Sequence, residues 1–349
     1  MPGTVTSSAP FRTIVVKQLH STFGAEVVGA DFTNMTNEQF DEIKQAMAKV
    51  SSVHFPDLAK ADLSQYSVLV FRKANLSDDE HVAFSRKLGE LHDLKLHVKN
   101  HRFKHLELFD VGNVDDDGKP FAVDSPRTLF GRGNAVFHND SSFNRQRASW
   151  SILRAVKLPP PGTGGETEYA DSLAAWDNLD EELKGELLKR ELVGVHSFLQ
   201  LRKLGAPEYF ADVDPYSQPM ARHKIVSTHE PSGRKTLYVG NYLHHIEKPD
   251  GTPLPEEENA ALMEKLIGHV TRPENVLRLE WYDNGDMIAW DNVSTLHRAT
   301  GGIYEGKFTR DMRRTTVKDD SPEGWGVNST EKVLATDTVN LSSLNYFTK

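Results

Sequence analysis

Phe137-His138-Asn139-Asp140 has its partner far along the chain, in Trp290-Asp291-Asn292-Val293-Ser294-Thr295-Leu296-His297. His138 and Asp140 are two residues apart, and on a strand side chains at i and i+2 project from one face. If Asn134-Ala135-Val136-Phe137 approaches as extended chain, both ligands point into one cavity. His297 then has to fold back beside them on a strand or loop. Two imidazoles and a carboxylate are the ligand set of a facial triad, which holds a non-heme Fe(II) on one side and leaves the other open. The chain has no cysteine, which argues against a structural zinc or an iron–sulfur cluster.

The other histidines read differently. His54, His81, His105, His196, His223, His229 and His269 lack such context and are expected at the surface or hydrogen-bonded in the core. His244 and His245 are adjacent, so on a regular strand they face opposite ways and do not share a ligand. In Arg310-Asp311-Met312-Arg313-Arg314, extended chain puts Arg310, Met312 and Arg314 on one face, with Asp311 and Arg313 on the other. A guanidinium offers a planar fork of donors that fits a carboxylate through two parallel hydrogen bonds.

The 349 residues are 38% hydrophobic and 26% charged, ordinary for a globular protein with a sizeable core. The two ligand segments must meet, which favours one domain with a core of about 12–320 and a C-terminal extension over 321–349. A net charge of −9 without a basic block argues against nucleic acid. No apolar run approaches the ~20 residues that span a bilayer, and the first ten residues lack a signal-peptide pattern, so a cytoplasmic protein is expected. The sequence leaves a homo-oligomer open.

Helices are expected from Thr36 (capping-box partner Gln39; stripe Phe40, Ile43, Met47, Val50), from Ser77 with Glu80, over Asp180 to Arg190, and after Pro255. Strands are expected at Thr13 to Val16, Ser67 to Phe71, Ser151 to Val156, Lys235 to Val239, Val276 to Trp281 and Asp286 to Trp290. Asn100 to Arg132 and Gln200 to Gln218 read as long loops over the mouth of a barrel. Val339, Leu341, Leu344, Tyr346 and Phe347 in the tail point to docking on the body. The class is α+β with a mainly β core, a sandwich or jelly roll with flanking helices.

Ordered blocks along nearly the whole chain resemble the taurine dioxygenase/2,4-dichlorophenoxyacetate dioxygenase (TauD/TfdA) family of Fe(II)- and 2-oxoglutarate-dependent oxygenases. They are Gly24 to Phe32, Val68 to Arg72, Phe84 to Leu91, Asn134 to Phe143, Pro159 to Asp171 with its Gly-Gly-x-Thr segment, Gly285 to His297, and Arg310 to Arg314. The resemblance implies a double-stranded β-helix, a cupin-like jelly roll. It also implies that His138, Asp140 and His297 are the catalytic iron ligands. Thr167 and Arg310 would bind the distal carboxylate of 2-oxoglutarate, with Arg313 as the other choice because the stretch after His297 is slightly long. Arg314, Asn134 and His92, or His97 if an insertion intervenes, would contact a small anionic substrate such as a carboxylate, amino acid or sulfonate.

Three protein ligands, two from the keto acid and one from O2 would complete six positions, coupling C–H oxidation to release of succinate and carbon dioxide. Asp140 disfavours halogenation. Desaturation or ring closure stays open, as do a non-catalytic jelly-roll binder and a hydrolase using the same ligands.

Overall fold

The computed structural model describes residues 11–47, 66–93, 101–331 and 339–340. Strand Val68–Phe71 is buried at every position, because both of its faces are covered. Val68 and Val70 join Ile288, Trp290, Leu153, Ala155 and Met312 in an inner core. Leu69 and Phe71 join Met287, Ala289 and Ile152 on the opposite face, under the helices Asn37–Met47 and Asp78–Arg86. A strand covered on both sides reads as a continuous apolar run, as this one does.

Among the described residues the larger sheet has seven strands, in the order Val15–Gln18, Ala25–Val28, Val68–Phe71, Met287–Asp291, Ala148–Lys157, Asp311–Lys318 and Phe109–Asp110. Its pairings are antiparallel except that of Ala25–Val28 with Val68–Phe71. The facing wall is built from smaller sheets. One has Thr167–Asp171 between Val276–Leu279 and Thr295–Ala299; another has Val193–Ser197 between Leu243–Glu247 and Met220–Lys224; a hairpin pairs Val226–His229 with Arg234–Leu237. Tyr169, Leu277 and Leu279 from this wall enter the same inner core as the large sheet. Its outer face buries Ala170, Leu237, Leu243 and Leu296 under the helices Glu181–Arg190 and Glu256–Val270. The result is the expected jelly roll with flanking helices.

Local signals account for most elements. Ser77 caps its helix with a complete capping box to Glu80, and Asp180 caps the next expected helix through Glu182 and Leu183. At Thr36 only half of the box forms. Thr36 Oγ1 accepts from Gln39 N at 3.1 Å, while the Gln39 amide is drawn away to Gly29 O and Asp31 N. Val50, at the end of that stripe, lies outside the described residues, as do Leu341, Leu344, Tyr346 and Phe347. Val339 is buried with Phe130, Phe198 and Tyr242.

Two expectations are corrected. The long loops contain the helices Pro126–Gly131 and Phe198–Gly205. Ser125 and Ser197 cap them, and the second is held by burial of Phe198, Leu199, Leu201 and Arg202. The chain before His138 is not extended from Asn134; Arg132–Ala135 is a 3-10 helix, and only Val136 opens out. Close packing explains the coil. A Cβ on Gly205 would lie 2.3 Å from Gly133 N, and one on Gly133 would lie 3.0 Å from Leu201 O.

Gly205→Ala should therefore destabilise the protein by about 1–3 kcal/mol through overpacking. Gly185→Ala, inside Glu181–Arg190 with nothing within 4 Å of its added Cβ, should stabilise it by about 0.5–1 kcal/mol. Urea titration reads both, and equal effects would refute the packing argument. Burial pushes His81 and His223 down from 6.5 to about 3. Both are neutral when folded and protonate more readily when unfolded. Their contribution is full above pH 6.5 and is lost as pH falls from 6.5 toward 3. Denaturation midpoints across that range should fall with acid, and His81→Gln should flatten the slope.

Candidate active site

The site begins with a backbone bridge. His138 N–H donates to His297 O at 3.0 Å, and His297 N–H returns the bond to His138 O at 2.9 Å. Asp140 follows in a turn whose next residue, Ser141, has φ 55°. His138 Nε2 lies 3.9 Å from Asp140 Oδ1, and His297 Nε2 lies 3.6 Å from Asp140 Oδ2. The three ligand atoms fall within 4.8 Å of one another, the one such cluster of three His, Cys, Asp or Glu residues among the described residues. All three side chains are buried.

The protonation states suit a cation. His138 Nδ1 donates to Val136 O at 2.8 Å, so in the neutral ring the lone pair sits on Nε2, facing Asp140. Burial pushes His138 down to about 4, against the pull of Asp140, and burial also holds His297 well below its ordinary value. Burial opposes ionisation of Asp140 as well, but Arg314 above all, helped by the Ser151 hydrogen bond, keeps it below the usual carboxylate range. Two neutral imidazoles and one carboxylate would leave a divalent ion with a net positive charge, suited to anionic ligands.

A layer behind the triad fixes it. Ser151 Oγ donates to Asp140 Oδ2 at 2.7 Å. Asn292 Oδ1 accepts from Asp140 N at 3.0 Å and Trp290 Nε1 at 3.1 Å, while its Nδ2 donates to Ser151 Oγ at 3.0 Å. Asn139 Nδ2 donates to Asn292 O and Thr295 O. His229 Nε2 lies 2.5 Å from Asp291 Oδ2. The sequence reading missed Ser151 and Asn292 as supports, although Asn292 stands inside the quoted motif. Their roles follow from strand register: Ser151 pairs with Trp290 and with Thr316.

The arginine run divides by face as expected. Arg313 turns away, ion-paired to Asp78 and to Asp311 at 3.3 Å. Arg310 is 5% exposed, and Nη2 donates to Gly165 O at 3.0 Å. Its Nε has no partner, and no carboxylate pairs with it among the described residues. Thr167, buried on Thr167–Asp171, accepts from Trp281 Nε1 at 3.2 Å. Arg314 Nη1 lies 2.6 Å from Asp140 Oδ1, which puts the second guanidinium on the triad itself. Asn134 is half-buried in the 3-10 helix. His92 is buried, and its N–H donates to Thr316 O at 2.8 Å. Thr316 Oγ1 in turn lies 3.5 Å from Ser151 Oγ. His97 and His54 lie outside the described residues.

One further expectation is corrected. A β-bulge between Leu243 and His245 breaks the alternation, and His244 Nδ1 and His245 Nδ1 come within 2.8 Å.

Removing the Ser151 hydroxyl leaves Asp140 short of a donor. Ser151→Ala should lower Mn(II) affinity about 10- to 100-fold with little change in thermal stability. Calorimetric titration of the two proteins checks this, and equal affinities would remove Ser151 from its supporting role.

The family described as taurine catabolism dioxygenase TauD, TfdA family matches residues 16–316. An alpha-ketoglutarate-dependent 2,4-dichlorophenoxyacetate dioxygenase of Burkholderia sp. (strain RASC) is 38% identical over 261 residues, covering 73% of this chain and 83% of the relative. Another of that name, from Cupriavidus pinatubonensis, is 34% identical over 311 residues, covering 88% and 99%. The crystal structure of AAD-2 in complex with Mn(II) and N-oxalylglycine superimposes with a TM-score of 0.75 at 34% identity, covering 89% of this chain and 100% of that one. With most of its length matched by the family and by such relatives, the chain belongs to the TauD/TfdA dioxygenase family.

Proposed function

We propose that the protein is an Fe(II)- and 2-oxoglutarate-dependent dioxygenase that oxidises a C–H bond of a small anionic substrate. The convergence of His138, Asp140 and His297, ligand atoms within 4.8 Å, carries this reading. These residues would hold the iron, and Arg310 with Thr167 would take the distal carboxylate of 2-oxoglutarate. When bound, Fe(II) and 2-oxoglutarate supply the oxidising power for an unactivated C–H bond, consuming O2 and releasing succinate and carbon dioxide.

The chain's own residues do the rest by position and charge. His138 and His297 stay neutral through burial and so keep lone pairs for a metal. Ser151 and Asn292 hold the Asp140 carboxylate and backbone from behind. Arg310 brings an uncompensated buried charge, which is costly unless an anion meets it. The burial of all three side chains strengthens each of these interactions.

Relatives at 38% and 34% identity named for 2,4-dichlorophenoxyacetate support an anionic substrate, as does Arg314 at the triad. Asn134, and His92 or, with an insertion, His97, are proposed for that pocket by their places in the sequence.

Anaerobic addition of Fe(II) and 2-oxoglutarate should produce a weak visible charge-transfer band; its absence would refute chelation of the keto acid. His138→Ala or Asp140→Ala should abolish succinate formation. Arg310→Ala should chiefly raise the 2-oxoglutarate requirement, and an unchanged requirement would remove Arg310 from its role. A succinate screen over aryloxyacetates, amino acids and sulfonates then identifies the substrate.

A further inference from the structure

Trp281 touches the proposed 2-oxoglutarate corner through Thr167. It stands two residues past Leu279, the cross-strand partner of Thr167. Its side chain packs on the same inner core as Leu279, the side on which Thr167 lies. The contact is a hydrogen bond from Trp281 Nε1 to Thr167 Oγ1, 3.2 Å long.

An indole nitrogen can only donate, whereas a hydroxyl has one proton and two lone pairs. Trp281 therefore occupies a lone pair of Thr167, and the hydroxyl proton must point elsewhere. Thr167 is 3% exposed, and no protein acceptor takes that proton among the described residues. Arg310 is bonded to Gly165 O, two residues before Thr167, and its Nε–H is likewise without an acceptor. Buried donors left over in this way call for an acceptor, and a carboxylate supplies the strongest.

The indole is held in turn. Asp286, 0% exposed, gathers Tyr282 N at 3.0 Å, Asp283 N at 3.3 Å, Lys73 N at 3.0 Å and Arg72 Nη1 at 2.7 Å. That carboxylate ties the turn after Trp281 to the end of Val68–Phe71. Trp281 itself packs partly buried on the inner core. Its donor is thus fixed from two sides, as a supporting group requires.

We propose that Trp281 is a positioning residue for 2-oxoglutarate: by donating to Thr167 it turns the Thr167 hydroxyl proton toward the distal carboxylate that Arg310 also grips. This rests on the reading of the site as an Fe(II)/2-oxoglutarate centre. The indole has no contact with the reacting atoms; it sets which way one donor faces.

The test titrates 2-oxoglutarate into the Mn(II)-loaded full chain by calorimetry, for the wild type, Trp281→Phe, Thr167→Val and the double variant. Trp281→Phe should weaken 2-oxoglutarate binding about 2- to 10-fold, the effect of one net hydrogen bond. Mn(II) affinity and kcat at saturating 2-oxoglutarate should not change, so that the loss appears in KM alone. The double variant should bind no more weakly than Thr167→Val, because without the hydroxyl the indole has nothing to orient. Thr167→Ser should bind like the wild type. Part of the tryptophan emission should also respond to 2-oxoglutarate in the wild type and not in Thr167→Val, which keeps the test informative if Trp281→Phe does not fold. Unchanged binding in Trp281→Phe, additive losses in the double variant, or an emission response that survives Thr167→Val would overturn the proposal. A wild-type protein that binds Mn(II) but no 2-oxoglutarate would instead overturn the reading of the site.

Discussion

Two backbone hydrogen bonds between His138 and His297 govern the rest of the site. They join a short turn to the strand Thr295–Ala299, and no side chain can substitute for them. Once they form, both imidazoles project from one seam, and Asp140 is delivered two residues later. Everything around the seam keeps it in register. Asn139 bonds to the carbonyls of Asn292 and Thr295, and the Asn292 side chain bonds to the Asp140 backbone. The motif around Trp290 and the motif around His138 are therefore one structure made from two distant segments.

The electrostatic arrangement follows from that closure. Within a dry seam the imidazoles cannot hold protons cheaply, so they stay neutral. The carboxylate stays ionised because Arg314 stands against it. Arg310 lies on the same face of the chain, without a carboxylate partner among the described residues. Arg313, on the alternate face, is ion-paired through its terminal nitrogens to Asp78 and Asp311. A period of two along five residues thus separates Arg313 from the two guanidiniums proposed to meet anions.

What could be read from the sequence was whatever residue type and short spacing encode. The ligand set, the arginine face and the capped helices at Ser77 and Asp180 are of that kind. Ser151 and Trp281 were hidden because a serine or tryptophan on a strand has no special signature. Their roles come from what the folded chain brings beside them, namely the turn of Asp140 at Ser151 and the strand residue Thr167 at Trp281. The helix Phe198–Gly205 was missed because its buried side includes an arginine, so its apolar stripe is broken. Arg202 is nonetheless covered, stacked on Phe130 and Phe198. The expected opposite facing of His244 and His245 failed on a bulge, which reverses the facing of one residue without leaving a mark in composition.

The bare contact of Gly205 with Gly133 has a mechanical meaning. Where elements meet through layers of side chains, those layers can shift rotamers and absorb small displacements. Here main chain rests on main chain, five residues before His138, with no compliant layer between them. The helix Phe198–Gly205 accordingly bears directly on the coil that leads into His138, and has no side-chain layer there to yield in its place.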